Sequence, residues 1–267
     1  MYMYRFTTKL LVISVLTLLV YQQANAQILF GPKVGYQASW IRYAQLYDGA
    51  DYTEGLDLSP QFGAVYSFRL SKALSFYSEL FYAQRGKREK TNDAVTLMRN
   101  HTATYHFMEL PLMIRLEHPL SKGKKSSPRV YINVGPHIGF WLAGKGELES
   151  LETYGTISRV GTSYSINFSD GGQENELYAE DANRLQFGLN AGTGLMIPMN
   201  KKGEILQIDF RYTHSSTFLG SDLDLEIGST GVEENFSFGH SFASVSVAYA
   251  FYLDIWGLRK GKSVRRR

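Results

Sequence analysis

Apolar and polar residues alternate along eight stretches of the chain, and a period of two marks a strand with one greasy and one polar face. The best-defined run is Ile205 to Thr213, where Leu206, Ile208, Phe210 and Tyr212 oppose Gln207, Asp209, Arg211 and Thr213. Leu185 to Ile197 sets Leu185, Phe187, Leu189 and Ala191 against Gln186, Gly188, Asn190, Gly192 and Gly194. The same alternation recurs around Phe30 to Trp40, Phe62 to Leu70, Ala73 to Arg85, Tyr105 to Leu116, Val130 to Leu142 and Ala243 to Leu253. The links between these strands are short at Leu70 to Ala73, Glu117 to Pro128 and Met199 to Gly203. They are long at 44–57, 86–101, 144–182 and 215–238. An even strand number with short turns on one side and long loops on the other predicts an all-β fold, an eight-stranded antiparallel up-and-down transmembrane β-barrel. Its apolar faces then look out at lipid, and its polar faces fill a lumen only wide enough for side chains.

The first residues add a compartment. Arg5 and Lys9 precede an apolar run from Leu10 to Tyr21 and a small-x-small site at Ala24-Asn25-Ala26. This reads as a secretory signal peptide over 1–26, cleaved after Ala26, because about a dozen apolar residues fall short of the roughly 20 that a spanning helix needs. The barrel is expected over 27–253 and a basic tail over 254–267, which carries Arg259, Lys260, Lys262, Arg265, Arg266 and Arg267. The expected location is the cell outer membrane.

Composition changes little but excludes much. Lys plus Arg number 28 against 25 Asp plus Glu, a net charge of +3 that argues against a nucleic-acid partner. Cysteine is absent, which removes thiol catalysis, disulfides and Cys-based metal sites. No phosphate loop, dinucleotide fingerprint or His-Glu-x-x-His occurs, and no cofactor or metal is expected. Aromatic residues make up 14% of the chain, of which Tyr36, Trp40, Tyr66, Tyr82, Trp141 and Tyr212 read as interfacial or rim aromatics.

The candidate chemistry lies on the polar faces. Lys33, Arg69, Arg115 and Arg211 share them with Glu79, Glu109 and Asp209, and charges inside a narrow barrel are tolerable only as a paired network. The stretches 44–57 and 215–238 are acidic, as is much of 144–182, while 86–101 and the short-link side are basic. This polarity suits assembly topology, with partner or divalent-cation binding by the acidic loops as the sharper alternative. An enzyme is the second reading: His214-Ser215-Ser216 ends the seventh strand and His240-Ser241 opens the eighth, with Asp222 and Asp224 between, an outer-rim hydrolase or acyltransferase. No Gly-x-Ser-x-Gly elbow strengthens it.

In order along the chain, Phe30-Gly-Pro-Lys-Val-Gly-Tyr-Gln-Ala-Ser39, Phe62-Gly-Ala-Val-Tyr-Ser-Phe-Arg-Leu70, Leu74-Ser-Phe-Tyr-Ser-Glu-Leu80, Gln84-Arg-Gly86, Glu109-Leu-Pro-Leu112 and Val134-Gly-Pro136 resemble the PorT-like family of small outer-membrane β-barrels. The resemblance implies an eight-stranded barrel in a diderm outer membrane, and its founding member is tied to type IX protein secretion. The long segment 144–182 and the continuation past the last strand depart from the family pattern. Together these observations predict a non-enzymatic, monomeric barrel contacting outer-membrane lipid and envelope or secretion-machinery proteins.

Overall fold

The computed structural model describes residues 28–43, 52–91, 99–121, 127–154, 156–168, 176–179, 182–199, 203–220, 224–226 and 233–253. The expected leader (1–26), the basic tail (254–267) and the acidic residues at 44–51 lie outside them. Eight long strands form the barrel: β1 (Ile28–Tyr43), β2 (Asp57–Arg69), β3 (Leu74–Thr91), β4 (Arg99–Pro119), β5 (Arg129–Tyr154), β6 (Leu185–Pro198), β7 (Glu204–Ser215) and β8 (Phe238–Leu253). Each pairs antiparallel with its sequence neighbour, and β8 returns to β1 in the register Ile28↔Leu253 through Tyr43↔Phe238. First pairing last closes the sheet, so no barrel edge is left unbonded, the condition for a strand to cross hydrocarbon.

The faces sort as the alternation predicts. Val34, Tyr36, Phe62, Ile132, Val134, Leu189 and Phe210 are exposed on the outside, while Lys33, Gln37, Glu79, Glu109, Arg115, Asn133, Asp209 and Arg211 are buried inside. A soluble barrel would invert this, because water on the outside favours polar outward residues. At the end that carries both barrel termini the connections are tight. Leu70 N–H donates to Leu74 O, Leu120 N–H to Pro128 O, and Met199 N–H to Glu204 O. The last turn depends on Gly203, whose φ of +87° is a conformation that L side chains rarely adopt.

The opposite end differs from the loop assignment. Residues 86–91 and 99–101 continue β3 and β4, paired from Gly86↔Thr104 to Thr91↔Arg99. Residues 144–154 continue β5, which turns back into a further strand, Thr156–Asn167. A β5 of 26 residues exceeds the roughly 11 needed to cross a bilayer, so its upper half stands beyond the membrane as a blade. Two physical reasons hide these strands from a period-two reading. Outside lipid, neither face of Lys87 to Lys90 needs to be apolar. In β5 the register slips so that His106 pairs with Ala143 and Phe107 with Trp141, leaving Leu142 as an extra residue. One bulged residue exchanges the two faces of everything beyond it. Below the bulge the odd residues Tyr131, Asn133, His137 and Trp141 point inward; above it the buried residues are the even Gly144, Gly146 and Leu148. Outside the barrel, Glu176–Tyr178 pairs parallel with Ser165–Asn167, and Asp224–Glu226 with Glu233–Asn235 in a separate ribbon.

Candidate functional site

The lumen is filled in tiers. Near the terminus-bearing end, Leu29, Val65, Tyr77, Met113, Tyr131, Met196 and Ile205 form an apolar layer with Ala248 and Ala250. Against it lies an ionic belt. Lys33 Nζ on β1 donates to Glu79 Oε1 on β3 at 2.6 Å and lies 3.4 Å from Asp209 Oδ1 on β7. Arg211 on β7 clasps Glu79 through both ends, Nη1 to Oε2 at 2.8 Å and Nη2 to Oε1 at 2.5 Å, and reaches Asp209 Oδ1 at 3.0 Å. Two tyrosines complete the shell: Tyr77 donates its hydroxyl to Glu79 at 2.5 Å and Tyr131 donates to Asp209 at 2.8 Å. A forked guanidinium-carboxylate pair with further donors on the same oxygens is the geometry that offsets desolvation of buried charge.

Lys33, Arg115 and Arg211 against Glu79 and Asp209 leave one excess cation in this belt. It sits on Arg115, whose guanidinium lies between the Tyr77 and Tyr131 rings, 3.5 and 3.8 Å from their centroids. Ring faces are partial anions, and in a water-poor interior that attraction is strongest. The tyrosines therefore serve twice, donating hydroxyls to the carboxylates and ring faces to the arginine. Space for them comes from β6: a Cβ on Gly194 would stand 2.3 Å from the Tyr131 hydroxyl, and one on Gly192 would stand 2.6 Å from Asn133 Oδ1. The bare face of β6 is thus the complement of the filled face of β5.

Glu109 is separate from the belt. It pairs with Arg85 on β3, whose guanidinium is held between Phe107 at 4.5 Å and Phe242 at 4.1 Å, and His137 lies 3.5 Å away. Arg69 stands apart from both groups. Partly exposed at the terminus-bearing end, it bonds the Tyr252 hydroxyl at 2.9 Å and approaches Glu117 at 3.8 Å, where Arg129 also binds at 3.0 Å. Arg85, His137 and Glu117 lie outside the set of seven charges read from the sequence. Parity finds them all the same: 79 and 85, 115 and 117, and 133 and 137 share inward faces.

The other mouth carries an aromatic cap instead of the polar lining expected there. Trp141 is completely buried, so it is an interior residue and not an interfacial one. It packs on Phe168 at 4.8 Å, Phe236 at 5.5 Å and Tyr105 at 5.7 Å, ring centroid to ring centroid. Leu148, Tyr164, Ile166, Leu177, Leu219 and Phe238 complete this core. Several of these residues come from the blade and the connecting segments, which fold inward over the barrel.

Of the residues in the enzyme alternative, Asp222 lies outside the described residues, and the two histidines are placed on opposite faces. His240 points inward and touches the Tyr105, Phe107 and Phe238 rings, whereas His214 is on the outward face with Tyr212. The Nε2 of His214 accepts from Arg42 Nη1 at 2.5 Å, and its Nδ1 is 3.2 Å from Ser241 Oγ. A ring nitrogen that accepts from arginine leaves the proton on Nδ1, facing the serine that a general base would need to deprotonate. Among the described residues, no group of three His, Asp or Glu side chains is placed to hold a metal.

A closed antiparallel barrel with an apolar exterior and an ionic and aromatic interior defines a small transmembrane β-barrel. The chain belongs to the outer membrane protein beta-barrel domain family, whose profile matches residues 20–216, and that membership places it in the outer membrane. Similar solved structures include the attachment invasion locus protein Ail of Yersinia pestis, 12% identical over 84% of this chain and 98% of that one, with a TM-score of 0.31. OprG of Pseudomonas aeruginosa is 12% identical over 85% and 95%, with a TM-score of 0.44. Outer membrane protein W of Escherichia coli is 14% identical over 83% and 97%, with a TM-score of 0.35. No curated protein matches the chain.

Proposed function

We propose that the protein is a sealed, non-enzymatic outer-membrane barrel that serves as a structural and docking element of the cell envelope. The observation that carries this reading is the stacking of three fillings across one narrow lumen: an apolar layer, the Lys33–Glu79–Arg211–Asp209 belt and the Trp141-centred cap. Closely packed side chains leave an eight-stranded barrel little bore for solute. Docking is supported by the blade, whose outward face presents Thr102, Thr104, Lys145, Glu147, Ser163 and Ser165 around a concavity beyond the lipid. A polar surface raised above the membrane suits a protein partner or a glycan and has no use in anchoring.

Cleavage of the leader after Ala26 and a place beside the type IX secretion machinery are the finer parts of the reading. They rest on the small-x-small site and on the PorT-like order of motifs, with the basic tail 254–267 as a second docking element. Single-channel recording in planar bilayers tests the central part: the purified chain should give no stable open level, and a persistent conductance would overturn it. Co-purification from cross-linked outer membranes, with the full chain and with one ending at residue 257, tests partner contact and the part of the tail in it.

A further inference from the structure

On the lipid-facing wall, where β6, β7, β8 and β1 meet, small residues interrupt the greasy belt. Ala38 pairs with Ala243, and Tyr212 next to Ala243 pairs with Ala191, so three alanines stand where neighbouring rows carry large side chains. The result is an apolar groove of about 700 Å³ walled by Tyr36, Leu58, Phe210 and Val245. Its upper edge is the stacked pair Trp40 and Tyr212, ring centroids 6.0 Å apart and 25° from parallel. Such aromatics mark the headgroup level of a membrane.

Directly above that pair the polar cluster left over from the enzyme reading takes its place. Arg42 is two residues beyond Trp40, about 7 Å along the strand at ~3.4 Å per residue. Its guanidinium donates to His214 Nε2 and to the Ser215 carbonyl at 2.6 Å. Neither acceptor is a carboxylate, and two contacts leave further N–H donors of the fork. Of the other arginines at the ends of the barrel, Arg88 meets Asp57 at 3.3 Å, Arg129 meets Glu117 at 3.0 Å and Arg69 meets Glu117 at 3.8 Å, while Arg184 donates to the Trp141 carbonyl with its guanidinium over the Phe140 and Phe168 rings. Among the described residues Arg42 has no anionic partner, although it is only half-buried and lies where lipid headgroups pass.

We propose that Arg42, held in place by His214, together with the groove below it, binds one anionic, phosphate-bearing lipid. The headgroup phosphate takes the open donors of Arg42, and an acyl chain lies over Ala38 and Ala243 between Leu58 and Phe210. Charge complementarity chooses the headgroup, since a forked guanidinium matches phosphate oxygens in pairs. The groove chooses a chain over a free anion, because it starts where the aromatic edge ends and has almost no polar lining.

The full chain, reconstituted in nanodiscs with equal amounts of phosphatidylglycerol and phosphatidylcholine and then extracted into detergent, allows retained lipid to be counted by native mass spectrometry. The expected result is one retained phosphatidylglycerol per barrel. Arg42→Gln should lower the preference for phosphatidylglycerol about tenfold, the scale of losing one charge-assisted pair. Ala243→Leu, which fills the groove, should lower retention of both lipids, and Arg129→Gln at the other end should change neither. Heat-modifiable gel migration reports whether each variant is folded. Wild-type protein that retains no lipid, or shows no preference between the two, overturns the proposal whatever the variants do. Retention that survives Ala243→Leu but is displaced by inorganic phosphate would reveal an anion site alone and would also overturn it.

Discussion

Glu79 accepts from Lys33, Arg211 and Tyr77, donors carried by β1, β7 and β3, so one carboxylate ties three strands across the lumen. Replacing it with Gln leaves its two cationic partners, Lys33 and Arg211, with Asp209 alone, and removing one partner of a buried pair costs about 3–5 kcal/mol. Urea unfolding of the chain in lipid vesicles should register that loss for Glu79→Gln. The double variant with Lys33→Met should lose less than the sum of the two single losses, as groups in one network do. Additive losses would show that the two side chains do not act on one another. Gly194 offers a second test. Gly194→Ala drives a methyl into the Ile208 carbonyl and the Tyr131 hydroxyl and should cost about 1–3 kcal/mol by overpacking. Gly161→Ala, where nothing stands within 4 Å of the added carbon, should stay within roughly 0.5 kcal/mol. At this scale parity makes the charged residues visible from sequence, but not their partners. That Glu109 belongs to Arg85 while Glu79 belongs to Lys33 and Arg211 depends on how staggered strands bring distant residues to one height, and no local spacing encodes it.

The eight strands and three tight links are legible because lipid enforces the alternation: every outward position at membrane depth must be apolar. Where lipid ends, so does the signal. The upper parts of β3, β4 and β5 are strands by pairing alone, and the bulge at Leu142 inverts the faces just where β5 leaves the barrel. The aromatic cap was illegible for a related reason, since Phe168, Leu177, Leu219 and Phe236 come from irregular or short segments with no period to read. This division predicts a contrast within single elements. Val134→Arg, on the outer face of β5 within its membrane-crossing part, should destabilise the barrel by about 2–4 kcal/mol. Thr102→Arg, outward on the blade part of β4, should cost about 0–1 kcal/mol, both read from urea unfolding in vesicles.

For the molecule as a whole, closure of β8 on β1, the apolar exterior and the filled lumen describe one design, a membrane-embedded post with a raised polar head. The chain has no cysteine, so single-Cys variants along β7 can be labelled without background. In vesicles, fluorophores at Ile208→Cys, Phe210→Cys and Tyr212→Cys should be quenched by brominated lipid. Gln207→Cys and Thr213→Cys should be reached neither by lipid quencher nor by a membrane-impermeant thiol reagent. Fast labelling at 207 and 213 by the aqueous reagent, or lipid quenching that fails to follow the even positions, would contradict the account.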